Sequence, residues 1–138
     1  MITNVSLVTV FCKDQQESHD FYVDVLGMEP RKDVTMGPFR WLTCGPKDQP
    51  ELDLTFMVPG GGPMDPELVT AITRALDKGS MSGVGLTVDD CKATYDELVA
   101  KGVDFLQPPS DRPYGVEAVM RDNSVNWVVL VEPREFSG

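Results

Sequence analysis

Histidine is almost missing from this chain: His19 stands alone among 138 residues. It falls on a stretch that reads as helix, between the apolar face and solvent, which speaks against a histidine general base. Cysteine is scarce and unclustered. Cys12, Cys44 and Cys91 have no basic or histidine neighbour in sequence, so a disulfide framework, a zinc site and a reactive thiol are poor readings, and a reducing cytoplasm is the expected location. No apolar run approaches the ~20 residues of a membrane span, and the start M-I-T-N-V-S does not read as a signal peptide. Positive charge is in deficit: 12 Lys and Arg against 22 Asp and Glu leave a net charge of −10, spread along the chain. A surface of that sign excludes nucleic acid, whose phosphates need a basic face. It suits solubility and is compatible with a cationic ligand. The G-G-G at 60–62 is followed by no Lys-Ser/Thr, so it is not a phosphate loop.

What the chain does have is an internal repeat. V-S-L-V-T-V-F-C-K-D, from residue 5, leads into Q-Q-E-S-H-D-F-Y-V-D-V-L-G, ending at Gly27. S-G-V-G-L-T-V-D-D, from residue 82, leads into C-K-A-T-Y-D-E-L-V-A-K-G, ending at Gly102. Each copy is a β-branched apolar run, an Asp, an amphipathic segment and a stop glycine. Each then continues through strand-like runs to a proline, Pro59 or Pro133. A repeat of this length decides architecture before any other signal. A duplicated βαβββ unit builds two half-sheets, and two half-sheets facing each other enclose a cleft.

Local signals place the elements. Alternation around Val5, Leu7, Thr9 and Phe11 predicts a strand over 5–12. Asp14 is an N-cap, and Phe21, Tyr22, Val25 and Leu26 form one helix face before Gly27. Strands are expected at 29–35, 39–44 and 51–58. Pro59 to Pro66 is a linker, and Asp65-Pro66 opens a helix to about Lys78. The second copy predicts a strand at 82–88, a helix at 90–101, a strand at 103–107 and a hairpin of 115–121 with 126–132. Q-P-P-S-D-R-P-Y-G, 107–115, reads as a loop bordering the cleft. The organisation is a first module at 1–58, a linker with helix at 59–79 and a second module at 80–138.

The pattern D-x-x-x-S-x-x-F-Y-x-x-x-L-G from Asp14, the G-V-G-L-T-V-D-D at 83–90, the A-K-G-V at 100–103 and the R-P-Y-G-V-E-A-V-M-R-D-N-S-V-N-W at 112–127 together resemble the vicinal oxygen chelate superfamily of glyoxalases, bleomycin-resistance proteins and extradiol dioxygenases. In the last motif Asn123, Ser124 and Val125 stand where the family usually has Pro, a variable residue and Gly. The resemblance implies an α+β fold, two βαβββ modules forming a cup-shaped mixed sheet around a cleft, usually in a homodimer. It also implies metal ligands at four places: seven residues before each helix-capping Asp and four before each closing Pro. Those positions hold Leu7, Gly83, Thr55 and Val129. Three carry no donor atom and a lone hydroxyl is a poor ligand, so no cofactor is expected.

The expected ligand-lining residues are the alternate residues of the repeat-related strands: Leu7 and Thr9, Thr55 and Met57, Gly83 and Gly85, Trp127 and Val129. The two glycines widen the second-module side. If the hairpin turns over 122–126, Arg121 faces Trp127 and Val119 faces Val129, which puts Glu117, Val119 and Arg121 on the Val129 face. Glu117 is then the candidate catalytic or cation-binding group, either paired with Arg121 or desolvated with a raised pKa. Tyr114, Trp127, Phe11, Phe39 and Trp41 are candidate flat walls, Trp41 with the weakest claim because its turn register is unpinned. The function these features favour is binding of a small aromatic or cationic molecule without the usual metal. The alternative is an enzyme of lyase, isomerase or dioxygenase type. It would use a rearranged divalent-metal site drawing on Glu117 with Asp53 or Glu51, or Glu117 as a metal-independent base. The expected partners are a small molecule and a second copy of the chain, with no nucleic acid and no membrane.

Overall fold

The repeat is built as two four-stranded sheets with the same internal order. A computed structural model describes residues 1–135. The strands are β1 (Leu7–Phe11), β2 (Glu29–Met36), β3 (Phe39–Gly45), β4 (Asp53–Met57), β5 (Ser82–Thr87), β6 (Phe105–Arg112), β7 (Gly115–Arg121) and β8 (Trp127–Pro133). The α-helices are α1 (Gln15–Asp20), α2 (Pro66–Lys78) and α3 (Cys91–Ala100). The first sheet runs β1-β4-β3-β2 and the second β5-β8-β7-β6. In each, the first strand of the copy pairs parallel with the last and the other pairings are antiparallel. This is the expected α+β arrangement of two βαβββ modules. The chain divides into two compact units, Met1–Arg74 and Ala75–Gly138, so the division falls inside α2.

Each module buries one sheet face under its helix. In the first, Val10, Leu42, Cys44, Leu54 and Phe56 are buried with Tyr22. In the second, Ala118, Met120, Val128 and Leu130 are buried with Cys91 and Leu98. A fully buried side chain of this size contributes ~1.5–3 kcal/mol. The aspartate caps are as expected: Asp14 accepts from the Glu17 N–H and Asp90 from the Ala93 N–H, each at 2.9 Å. Both satisfy backbone donors that a helix start leaves unpaired.

Two expectations need correcting. The first helix is not α-helical to its stop: after Asp20 it widens into a π-helical turn, Phe21–Val25, before Gly27 at φ 77°. The turn carries the buried Tyr22, whose ring lies 5.2 Å from Phe56. The stretch 107–115 is not a loop either. Pro108 and Pro109 lie within β6, the edge strand, at a shift of register between Gln107 and Ser110. An edge strand with a bulge is where a sheet accepts a residue that has no N–H to donate.

Candidate functional site

Side chains alternate across a strand, so each sheet has a second face turned away from the buried core. On the first sheet the pairings Leu7–Asp53, Thr9–Thr55, Phe11–Met57 and Thr43–Thr55 put these residues on that open face. Trp41 pairs with Val34 and Phe39 with Met36, and both pairs share the face by alternation with Thr43. Leu7, Val34, Met36 and Phe39 are 43%, 45%, 52% and 37% exposed, an apolar concentration that a protein surface seldom leaves without a use. Trp41, the weakest of the aromatic candidates in the sequence, thus lies among them.

The polar part of this face is organised by an irregularity in β2. The register shifts between Pro30 and Asp33, so Arg31 and Lys32 both reach the carboxylate of Asp53. Regular alternation would send them to opposite faces. Arg31 Nη1 is 3.0 Å from Asp53 Oδ1, and Lys32 Nζ is 2.8 Å from Oδ2. The Thr43 hydroxyl donates to Oδ2 at 3.1 Å and accepts from the Lys32 N–H at 2.9 Å. Arg31 also donates to the carbonyls of Pro46, Pro50 and Leu52, which ties down the connection between β3 and β4. Burial would raise the Asp53 pKa, but Lys32, Thr43 and Arg31 outweigh it and hold the carboxyl below its ordinary value. The Lys32 ammonium sits 5.4 Å from the centre of the Trp41 ring. Sequence reading missed Lys32 because the only trace of the bulge is the Pro30 before it. Pro30 breaks the ladder without saying where it resumes.

On the second sheet the expected hairpin register is present: Arg121 pairs with Trp127, Val119 with Val129 and Glu117 with Val131. Gly115, at φ 147°, begins that hairpin; a Cβ there would lie 2.1 Å from the Glu132 carbonyl oxygen, so only glycine allows the approach. Glu117, Val119, Arg121, Trp127 and Val129 therefore share the open face, with Gly85 opposite Val129 and open space above it. Trp127 is 37% exposed. Gly83 is placed differently from expectation. It lies in a register shift of β5, and a Cβ on it would press on Val128 and Asn126 in the packed layer, so its lack of a side chain relieves the core and does not widen the open face.

Glu117 is neither paired with Arg121 nor raised in pKa. Tyr114 donates to its Oε2 at 2.6 Å, Gln107 to Oε1 at 3.4 Å, and Arg112 Nε is 3.6 Å from Oε1. The tyrosine bond, with Gln107 and Arg112, holds the carboxyl below its ordinary value against the opposing effect of burial. A carboxylate so stabilised is a poor proton acceptor. Arg121 instead donates to the carbonyls of Gly79 and Val125, at 2.8 and 2.7 Å. It supports the turn in which Val125 takes φ 60°, where the resembled motif has glycine.

The remaining candidates carry little chemistry. His19 Nδ1 is 3.3 Å from Asp20 Oδ1 and its ring meets Phe56 edge-on. Cys12, Cys44 and Cys91 are buried, and burial pushes the Cys44 thiol up to about 12, far from a nucleophilic thiolate. Leu7, Thr55, Gly83 and Val129 supply one hydroxyl and no imidazole or carboxylate, a donor set that does not fit a divalent metal. Among the described residues no group of three or more His, Cys, Asp or Glu side chains could hold a metal ion. Asp53, proposed for a rearranged site, is already held by two cations.

Known proteins share this architecture. YurT of Bacillus subtilis (strain 168), an uncharacterized protein, is 30% identical over 93% of this chain and 98% of its own. The crystal structure of UcmS2 matches with a TM-score of 0.86 at 40% identity, covering 96% of this chain and 99% of that one. TnmS3, an antibiotic binding protein from Streptomyces sp. CB03234, matches with a TM-score of 0.76 at 29% identity, covering 96% and 98%. The family model of the Glyoxalase/Bleomycin resistance protein/Dioxygenase superfamily spans residues 4–130. With the paired βαβββ modules and the capped helices in place, the chain belongs to that superfamily.

Proposed function

We propose that this protein binds a small, flat, largely apolar molecule on the open face of its first sheet and releases it unchanged, without a metal. The observation that carries the reading is the open face of the first sheet, where Leu7, Val34, Met36 and Phe39 stand exposed beside Trp41. Flat rings and flexible thioethers suit a planar ligand, and a few polar groups among them suffice to orient it. Among the described residues the same face holds no activated nucleophile, and the one carboxylate favoured as a base, Glu117 on the second sheet, is stabilised in its ionised form. The description of TnmS3 as antibiotic binding supports sequestration as the kind of activity.

The test is a thermal-shift and tryptophan-fluorescence titration with naphthalene derivatives, followed by chromatography of the recovered ligand. Binding that raises the melting temperature, quenches tryptophan emission and returns the compound intact is the expected result. Failure of every flat aromatic compound to bind, or recovery of a chemically altered product, overturns the reading.

A further inference from the structure

On the first sheet, Thr9, Thr55 and Thr43 stand side by side on three adjacent strands. Thr43 is occupied by Asp53 and the Lys32 backbone. The hydroxyls of Thr9 and Thr55 have no hydrogen-bond partner among the described residues, although Thr55 is only 7% exposed. Thr9 is exposed and the Thr55 hydroxyl keeps a solvent-facing edge, so both are open to water or to a ligand oxygen that takes its place. Next to this row stands the Lys32 ammonium. It has three N–H donors, of which Asp53 Oδ2 takes one, and its side chain is 52% exposed. Arg31 holds the other carboxylate oxygen, but it also pairs with Glu29 at 3.1 Å, so Lys32 shares in neutralising Asp53 through one of its three donors and keeps two for another partner.

We propose that Lys32, with the hydroxyls of Thr55 and Thr9, forms the polar end of a ligand site on the first sheet, and that its ligand is a flat anion: an aromatic ring system bearing a carboxylate or comparably acidic oxygen. The inference rests on the binding reading above and adds the sign of the ligand's charge. A cation entering here meets the exposed ammonium while Asp53 is shielded behind it. An anion meets two unused ammonium donors and two unused hydroxyls, with Trp41 beside them as the flat wall. The net charge of −10 does not decide the matter. Distant acidic groups are screened over ~8 Å at physiological salt, while a contact with Lys32 is made at hydrogen-bond distance.

Three probes with one ring system separate the possibilities: 2-naphthoate, 2-naphthamide and 2-naphthylmethylammonium. The expected order of affinity is carboxylate, then amide, then ammonium, with carboxylate and ammonium at least tenfold apart. Lys32→Met should remove that preference and leave the amide within about twofold, Lys32→Arg should keep it, and Thr55→Val should weaken the carboxylate more than the ammonium. Equal affinities, a reversed order, or a preference that survives in Lys32→Met overturns the Lys32 assignment while leaving the binding reading intact. If none of the three binds, the binding reading falls and the assignment with it.

Discussion

The Tyr114 hydroxyl donates to Glu117 Oε2 across 2.6 Å, and this bond is the largest influence on the Glu117 carboxyl. The carboxylate is therefore committed to its own hairpin. Tyr114→Phe should raise the Glu117 pKa toward the ordinary carboxylate range, as followed by NMR of the side-chain carboxyl. Because the folded-state pKa is depressed, Glu117 contributes stability that is present above the unfolded-state value and lost as pH falls through the folded-state value. The mutant should therefore lose part of its stability at neutral pH and show a shallower loss on acidification. A Glu117 pKa unmoved by Tyr114→Phe would contradict the assignment.

Asp53 and Lys32 should behave unequally although they touch. Asp53→Asn leaves the nearly buried Arg31 guanidinium with only the partly exposed Glu29, 3.1 Å away, as counter-charge, which should cost about 2 kcal/mol. Lys32→Met removes a half-exposed partner and should cost under about 1 kcal/mol. Urea unfolding of both variants checks this, and similar losses would show that the two cations share the structural role. The depressed Asp53 pKa adds acid sensitivity, its stabilisation being present at neutral pH and lost as pH falls through the folded-state value.

Val125 is a β-branched residue at φ 60°, a conformation glycine adopts without cost. The surrounding hydrogen bonds, from Arg121 to the Val125 carbonyl and from the Ser124 and Asn126 N–H groups to Asp122, hold it there. Val125→Gly should raise stability by about 1 kcal/mol, the relieved strain exceeding the added flexibility of the unfolded chain. A lower melting temperature in the variant would mean that the valine side chain contributes more than its backbone costs.

Protein prepared without chelator should carry far less than one divalent metal per chain. Elemental analysis is the check, and the reason is the side-chain chemistry at Leu7, Thr55, Gly83 and Val129. Near-stoichiometric metal whose removal lowers the melting temperature would restore the metal-dependent alternative.

The family resemblance also leads us to expect a homodimer. Sedimentation at micromolar concentration should give twice the 15.2 kDa chain mass. A single species at the monomer mass would reject it.

By itself the sequence determined the duplicated modules, the caps at Asp14 and Asp90, helix α2 from Pro66, and the β7–β8 register that sets Arg121 against Trp127. These are local matters: a cap, a turn or an alternation depends on residues a few positions apart. The tertiary structure decided what depends on residues far apart in the chain. The bulge in β2 brings Lys32 to Asp53 and Trp41, the shift in β5 turns Gly83 toward the packed layer, and the edge position of β6 turns an apparent loop into a strand. Glu117 shows both sides. Its face was readable from period-two alternation, but its partner was not. Arg121 sits on the same face of the same strand, yet the carbonyls of Gly79 and Val125 hold its guanidinium, and the neighbouring turn brings Tyr114 to the carboxylate instead. Which donor reaches a charge first is a question of three-dimensional distance, and pattern along a chain does not contain it.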